Sequence, residues 1–202
     1  MEILGHDDYL ALRAGARVLA QDRFGDKVLA LADGTILKLF RRKRLISSAA
    51  WYPYAQRFAD NARTLAALRI PCPEVTGVYR LPSVRREAVR YRPLEGETLR
   101  ALARAGADAP ELRARLAGFV AGLHASGVYF RSLHLGNIVL TPCGALGLID
   151  VADLRVARRP LSAARRQRNL RHLVRIAEDR AWIRPAGDAT FDEAYRRHAP
   201  GA

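Results

Sequence analysis

Between residues 16 and 40 apolar and polar positions alternate in three short runs, 16–21, 27–32 and 35–40. Period-two alternation over so few residues is the pattern of half-buried strands. Asp33-Gly34 divides the second and third runs and is a favoured two-residue hairpin connection, and Gly25 within Asp22-Arg23-Phe24-Gly25-Asp26 supplies the earlier reversal. A three-stranded meander is predicted. Ser47-Ser48 then offers a cap for a helix whose apolar positions, Phe58, Ala62, Leu65 and Leu68, recur at three and four residues until Pro71 and Pro73 stop it. Two more strand-like runs, 74–81 and 86–94, flank the Pro82-Ser83 turn and complete an expected five-stranded antiparallel sheet with one helix.

Past Glu95-Gly96-Glu97 the periodicity becomes helical. Residues 98–106 form one candidate helix, and Pro110 opens another that carries Leu112, Leu116, Phe119, Val120 and Leu123 on one face. Two short strands follow Gly127, over 129–140 and 144–151, divided by Pro142-Cys143-Gly144. The arginine-rich tail reads as two helices, 162–182 and 188–198. The change of character predicts an α+β chain of two lobes, 1–95 and 96–202, the second reduced and mainly helical.

Composition narrows the function classes. No window approaches a membrane span, and residues 1–9 carry acidic side chains where a signal peptide is basic, so a cytoplasmic protein is expected. Cys72 and Cys143 stand apart, each beside proline, and are read as reduced structural thiols. The formal charge is +14 and nearly all of it is arginine. Guanidinium suits phosphate, which points to a polyanionic partner; a GC-rich coding sequence would give the same total. Local clusters such as Arg41-Arg42-Lys43-Arg44 and Arg165-Arg166-Gln167-Arg168 are stronger signals.

The segment LHASGVYFRSLHLGNIVL, followed by LGLID ending at Asp150, resembles the catalytic loop and metal-binding aspartate of small-molecule and lipopolysaccharide kinases, whose loops read H-G-D-L-H-x-x-N-I-L. Leu133, His134, Gly136, Asn137 and Ile138 carry the match. With the run LFRRKRLISSAAWYPYAQRFADNARTLAALRIPCPEV, the chain from about residue 15 to residue 180 resembles the lipopolysaccharide-kinase and InaA-like (toluene-tolerance) group of the protein-kinase-like fold.

The resemblance implies a two-lobed enzyme that uses ATP and Mg2+ to phosphorylate a lipopolysaccharide core sugar or a related acidic envelope glycolipid, with peripheral inner-membrane contact through arginine clusters. It implies Lys38 at the nucleotide's α and β phosphates, with Gly25, Asn61 and Glu95 counted among the nucleotide-binding residues. Asn137 and Asp150 are implied as magnesium ligands, since phosphoryl transfer needs an amide and a carboxylate converging on the metal. The three principal residues are expected to share one cleft.

Three positions depart from the pattern. The turn around Gly25 has one glycine, and Asn61, with Asp60 beside it, stands where a glutamate would pair with Lys38. Ser132 replaces the catalytic aspartate. A serine hydroxyl is no base near neutral pH, so His134 and Asp153 are the candidates for that role, Asp153 being equally suited to pair with Arg155 or Arg158. The departures leave a pseudokinase scaffold as the alternative to a phosphotransferase. A third reading, a partner in RNA metabolism like the small basic kinase subunit of the KEOPS complex, is disfavoured by the SLHLGN loop, and no nucleic-acid partner is expected.

Overall fold

The computed structural model describes residues 1–41, 52–106 and 109–199. It is a mixed α+β protein of two units, Met1–Ala66 with Cys72–Leu94, and Ala67–Pro71 with Glu95–Ala202. The Ser47-Ser48 cap and Arg42, Lys43 and Arg44 lie outside the described residues.

The first unit is built on a six-stranded sheet of order β1-β5-β6-β4-β3-β2. Its strands are β1 (Glu2–Ile3), β2 (Arg17–Asp22), β3 (Gly25–Ala30), β4 (Ile36–Arg41), β5 (Glu74–Leu81) and β6 (Arg86–Arg92). The sheet has one strand more than expected and is not wholly antiparallel, because β1 pairs in parallel with β5, Glu2 opposite Tyr79 and Ile3 opposite Arg80. Among its described residues the unit also has a helix that was not expected. Helix α1 (His6–Ala14) precedes β2, with Asp7 and Asp8 in its first turn and Arg13 in its last, as the helix dipole favours. Only Tyr9 of α1 is fully buried, too thin an apolar stripe to announce a helix. Along β2 the pairing with β3 slips twice, between Val18 and Ala20 and between Ala20 and Gln21.

Both faces of this sheet are covered. Leu37, Leu39 and Ala88 point into a core with Tyr9, Leu29, Leu31 and Leu81. Lys38 and Phe40 alternate with them and point the other way. There helix α2 (Tyr54–Ala67) stacks Phe58 on Tyr91 at 5.0 Å between ring centroids and brings Tyr54 and Phe58 to Phe40 at 6.2 and 6.5 Å.

The second unit holds two small sheets. One has the order β10-β9-β7, from β7 (Glu97–Thr98), β9 (Ile138–Leu140) and β10 (Leu146–Leu148). The other pairs β8 (Val128–Phe130) with β11 (Leu154–Val156). Helix α3 (Leu99–Arg104) is capped by the Thr98 hydroxyl, which accepts from the Ala101 amide at 3.2 Å. Helix α4 (Pro110–Ala125) buries Leu112, Leu116, Val120 and Leu123, and packs on α7 (Thr190–His198), which buries Phe191 and Ala194. The predicted helix over 162–182 is two helices, α5 (Ala163–Leu173) and α6 (Ala177–Ile183). The break at residues 174–176 lets α6 turn the fully buried Asp179 onto Arg100 of α3. Cys72 and Cys143 are both free. Among the described residues no helix is long and apolar enough to cross a membrane.

His124, at the end of α4, is fully buried. Its Nε2 lies 3.2 Å from Asn169 Oδ1 and its Nδ1 lies 2.7 Å from the Tyr195 hydroxyl. The amide oxygen can only accept, so Nε2 carries the proton and Nδ1 accepts from tyrosine. Asn169 Nδ2 in turn donates to the Phe130 carbonyl at 2.6 Å and so fixes the end of β8. Burial pushes the imidazole down to about 4. The unfolded chain therefore binds a proton at His124 below pH 6.5 that the folded chain refuses, and stability falls as pH drops from 6.5 towards 4. His124 should account for a loss of about 2 to 3 kcal/mol between pH 7 and pH 4.5. Urea midpoints across that range, compared with those of His124→Gln, give the measurement; an equally steep pH dependence in the variant would remove His124 as the cause.

Candidate functional site

The candidate site of the second unit is built by the loop between β8 and β9 and by the turn after β10. Residues Leu135–Asn137 form a 3-10 turn, closed by the Asn137 amide donating to the His134 carbonyl at 2.9 Å. Asn137 is buried, and its Nδ2 donates to the Ser132 carbonyl at 2.9 Å. With both amide protons on one end and Nδ2 committed to the loop, the Oδ1 is left to accept, and no described residue donates to it.

The β9–β10 register carries this residue to Asp150. Ile138 pairs with Leu148, and the Ile149 amide, just past the strand, donates to the Asn137 carbonyl at 3.0 Å. Asp150 is exposed and left-handed, at φ 56 and ψ 43. Aspartate tolerates this region better than most side chains, but the conformation still costs free energy, and such residues gather at functional sites. The 3-10 turn Val151–Asp153 follows.

That turn ends on Asp153, whose Oδ2 accepts from the Ser132 hydroxyl at 2.7 Å. Its other oxygen, Oδ1, is buried with no hydrogen-bond partner among the described residues. Asp153 makes no ion pair with Arg155 or Arg158 among the described residues, so the pairing considered from sequence is replaced by a hydroxyl–carboxylate bond. The reason is the turn: β11 pairs Leu154 with Phe130, which sets Asp153 beside the loop that follows β8.

His134 faces the other way. Its Nδ1 lies 3.3 Å from the Arg100 guanidinium, which can only donate, so Nδ1 is an acceptor already in use. Burial, and then the Arg100 charge, hold the imidazole below its usual range. Arg100 grips Asp179 with two bonds of 2.9 and 2.8 Å, and Asp179 Oδ2 also accepts from the Leu135 amide at 2.9 Å. Gly136 makes this possible: a Cβ there would sit 2.7 Å from an Arg100 nitrogen and 3.2 Å from His134 Nδ1. The Arg100–Asp179 anchor is the part of the site that sequence reasoning missed.

The remaining predicted residues belong to the first unit or to the boundary. Lys38 is 8% exposed on the α2 face of the sheet, its Nζ 5.6 Å from the Phe40 ring centroid. Lysine is seldom so buried without purpose. Asn61 is half-buried on α2, three residues beyond Phe58. Gly25 opens β3 at φ 108, and Asp22 pairs directly with it, so the turn is a two-residue hairpin with Arg23 and Phe24 at its tip. Glu95 is exposed at the start of the second unit's main segment.

Among the described residues no three or more His, Cys, Asp and Glu side chains cluster as a metal cage. Hard-oxygen donors, one amide oxygen and one exposed carboxylate on neighbouring strand ends, fit a magnesium ion that keeps most of its waters and takes the rest from phosphates. No protein-family model matches the chain, and no curated protein matches it in sequence.

Proposed function

We propose that the chain is a phosphotransferase of the protein-kinase-like fold and the lipopolysaccharide-kinase type, moving the γ-phosphoryl group of ATP to a hydroxyl of a core sugar or related envelope glycolipid. Support for the fold comes from a mainly antiparallel sheet backed by α2 in one unit and a mainly helical unit containing the loop–strand pair in the other. The observation that carries the activity is the 2.7 Å bond from Ser132 to Asp153, in a loop whose Asn137 is joined by backbone to the strand end before Asp150.

In this reading Asn137 and Asp150 hold magnesium, which when bound neutralises charge on the phosphates, and Lys38 serves the α and β phosphates. The acceptor hydroxyl gives its proton to Ser132 Oγ as Ser132 passes its own to Asp153. A bond forms from acceptor oxygen to the γ-phosphorus as the bond to the bridging oxygen of ADP breaks. Ser132 and Asp153 together thus replace the missing aspartate. Most of the remaining rate comes from positioning and charge. The protein would work in the cytoplasm with its acceptor at the inner-membrane surface.

Titration calorimetry with Mg-ATP and a coupled ADP assay test the reading. Wild type should bind and turn over nucleotide, and Asp150→Ala should reduce turnover to background; absence of binding at millimolar Mg-ATP ends the proposal. The tight Arg23–Phe24 turn, which offers few amides to a phosphate, favours a pseudokinase scaffold as the second reading. Nucleotide binding without turnover, indifferent to Asp150→Ala, would select it.

A further inference from the structure

A cavity of about 570 Å³ opens in the second unit, within the range of small-molecule sites. Its walls are the β8/β11 pair on one side and α5 on the other. On the strands Tyr129 is registered opposite Arg155 and so shares its face, and Arg131 lies just past the end of β8. On the helix Arg165, Arg168 and His172 recur at three and four residues and form one stripe. The Tyr129 hydroxyl meets His172 Nε2 at 3.0 Å and ties the two walls together.

The cavity's charge is one-sided. Four guanidinium groups line it, and no carboxylate does. Elsewhere nine described arginines, Arg13, Arg63, Arg86, Arg90, Arg92, Arg100, Arg104, Arg113 and Arg184, pair with a carboxylate, and others such as Arg17, Arg69 and Arg197 are exposed singly to solvent. None of Arg131, Arg155, Arg165 and Arg168 has such a partner among the described residues. Gathering four cations of one sign around a concavity raises the folded state's free energy, and a bound anion would relieve it. His172 registers the same field. Burial, and then the charges of Arg175, Arg168 and Arg131, hold its imidazole below the usual range.

Geometry also orients the cavity. Past Phe130 the first wall strand runs into Ser132, and before Leu154 the second follows directly on Asp153. The cavity's lining thus runs from Gly127 and Ala157 at the far end of the strand pair to Arg131, which is the neighbour of Ser132 in the chain.

We infer that this cavity binds a phosphomonoester group of the acceptor, gripped by Arg131, Arg155, Arg165 and Arg168, so that the molecule phosphorylated already carries a phosphate. The inference rests on the phosphotransferase reading for the word acceptor; the anion site itself does not. Guanidinium forks match a phosphate with paired, charge-assisted bonds, whereas a neutral sugar would leave all four charges unmet.

Calorimetry without ATP tests it, using glucose 1-phosphate, monomeric dihexanoyl phosphatidic acid and glucose as probes. Binding of either phosphate compound, with none by glucose, supports the site, and the tighter of the two names a soluble or a lipid source. The double variant Arg155→Gln/Arg168→Gln should weaken that binding by roughly a hundredfold. The same variant should melt no lower than wild type, since it removes repulsion, so lost binding cannot be ascribed to unfolding. Failure of both phosphate compounds to bind, or variant affinity within about twofold of wild type, overturns the inference. Mg-ATP titrated into the same double variant separates the two ideas. Retained ATP binding beside an unresponsive cavity leaves the phosphotransferase standing alone, and a phosphate-binding cavity in a chain that ignores ATP leaves the cavity standing alone.

Discussion

Replacing Asp179 with alanine is expected to cost about 3 to 5 kcal/mol, a large part of what holds a domain of this size together. The carboxylate is fully buried and satisfies three donors, two on Arg100 and the amide of Leu135. Removing it strands a partly buried guanidinium, whose side chain is only 21% exposed, and orphans an amide at the start of the 3-10 turn. Chemical denaturation followed by circular dichroism measures the loss. The double change Arg100→Met/Asp179→Leu should recover much of it, because two apolar groups leave no buried charge behind. A single variant as stable as wild type would show that the anchor does not hold the loop.

Asp153→Asn should lower phosphoryl-transfer rate by about a hundredfold to ten-thousandfold, the usual worth of a positioned proton acceptor. The amide can still accept from Ser132 but cannot take its proton. Because Ser132 and Asp153 act as one relay, Ser132→Ala should cost a similar factor, and the double variant little more than either alone. Rates measured at saturating acceptor and Mg-ATP decide the matter. Additive losses would mean that the two groups work independently, and full activity in Asp153→Asn would assign the proton to solvent.

Much of the first unit was legible in its residues. Strands β3 to β6 sit where Asp33-Gly34, Pro82-Ser83 and period-two alternation put them, since those turns bend the chain whatever packs around them. Helix α1 and strand β1 were not. Gly5 gives α1 no side-chain cap and its apolar face is only the buried Tyr9 and the partly buried Leu12, while β1 is two residues long and acquires meaning only by pairing with β5. The helix break at 174–176 carries neither proline nor glycine, so nothing local reports it.

The site divides along the same line. The 3-10 turn at Asn137 and the strand end at Asp150 follow from a short local pattern, whereas Asp179 lies 79 residues from Arg100, in a tail so rich in arginine that any partner looked equally good. From sequence Asp153 stands equally as a substitute base and as a partner of Arg155 or Arg158, because neighbours in the chain are easy to see. Strand pairing gave it to Ser132 instead, 21 residues away.

The two slips of register along β2 bear on what that edge of the sheet offers to another strand. The sheet's outer strands are the two-residue β1 and the longer β2, and among the described residues no strand pairs with the outer side of β2, where Val18 and Leu19 are exposed. A flat margin of that kind would template a neighbouring chain into a growing fibre. The irregular, twisted spacing of its free amides and carbonyls, flanked by the cations Arg17 and Arg23, gives an incoming strand nothing regular to zip onto.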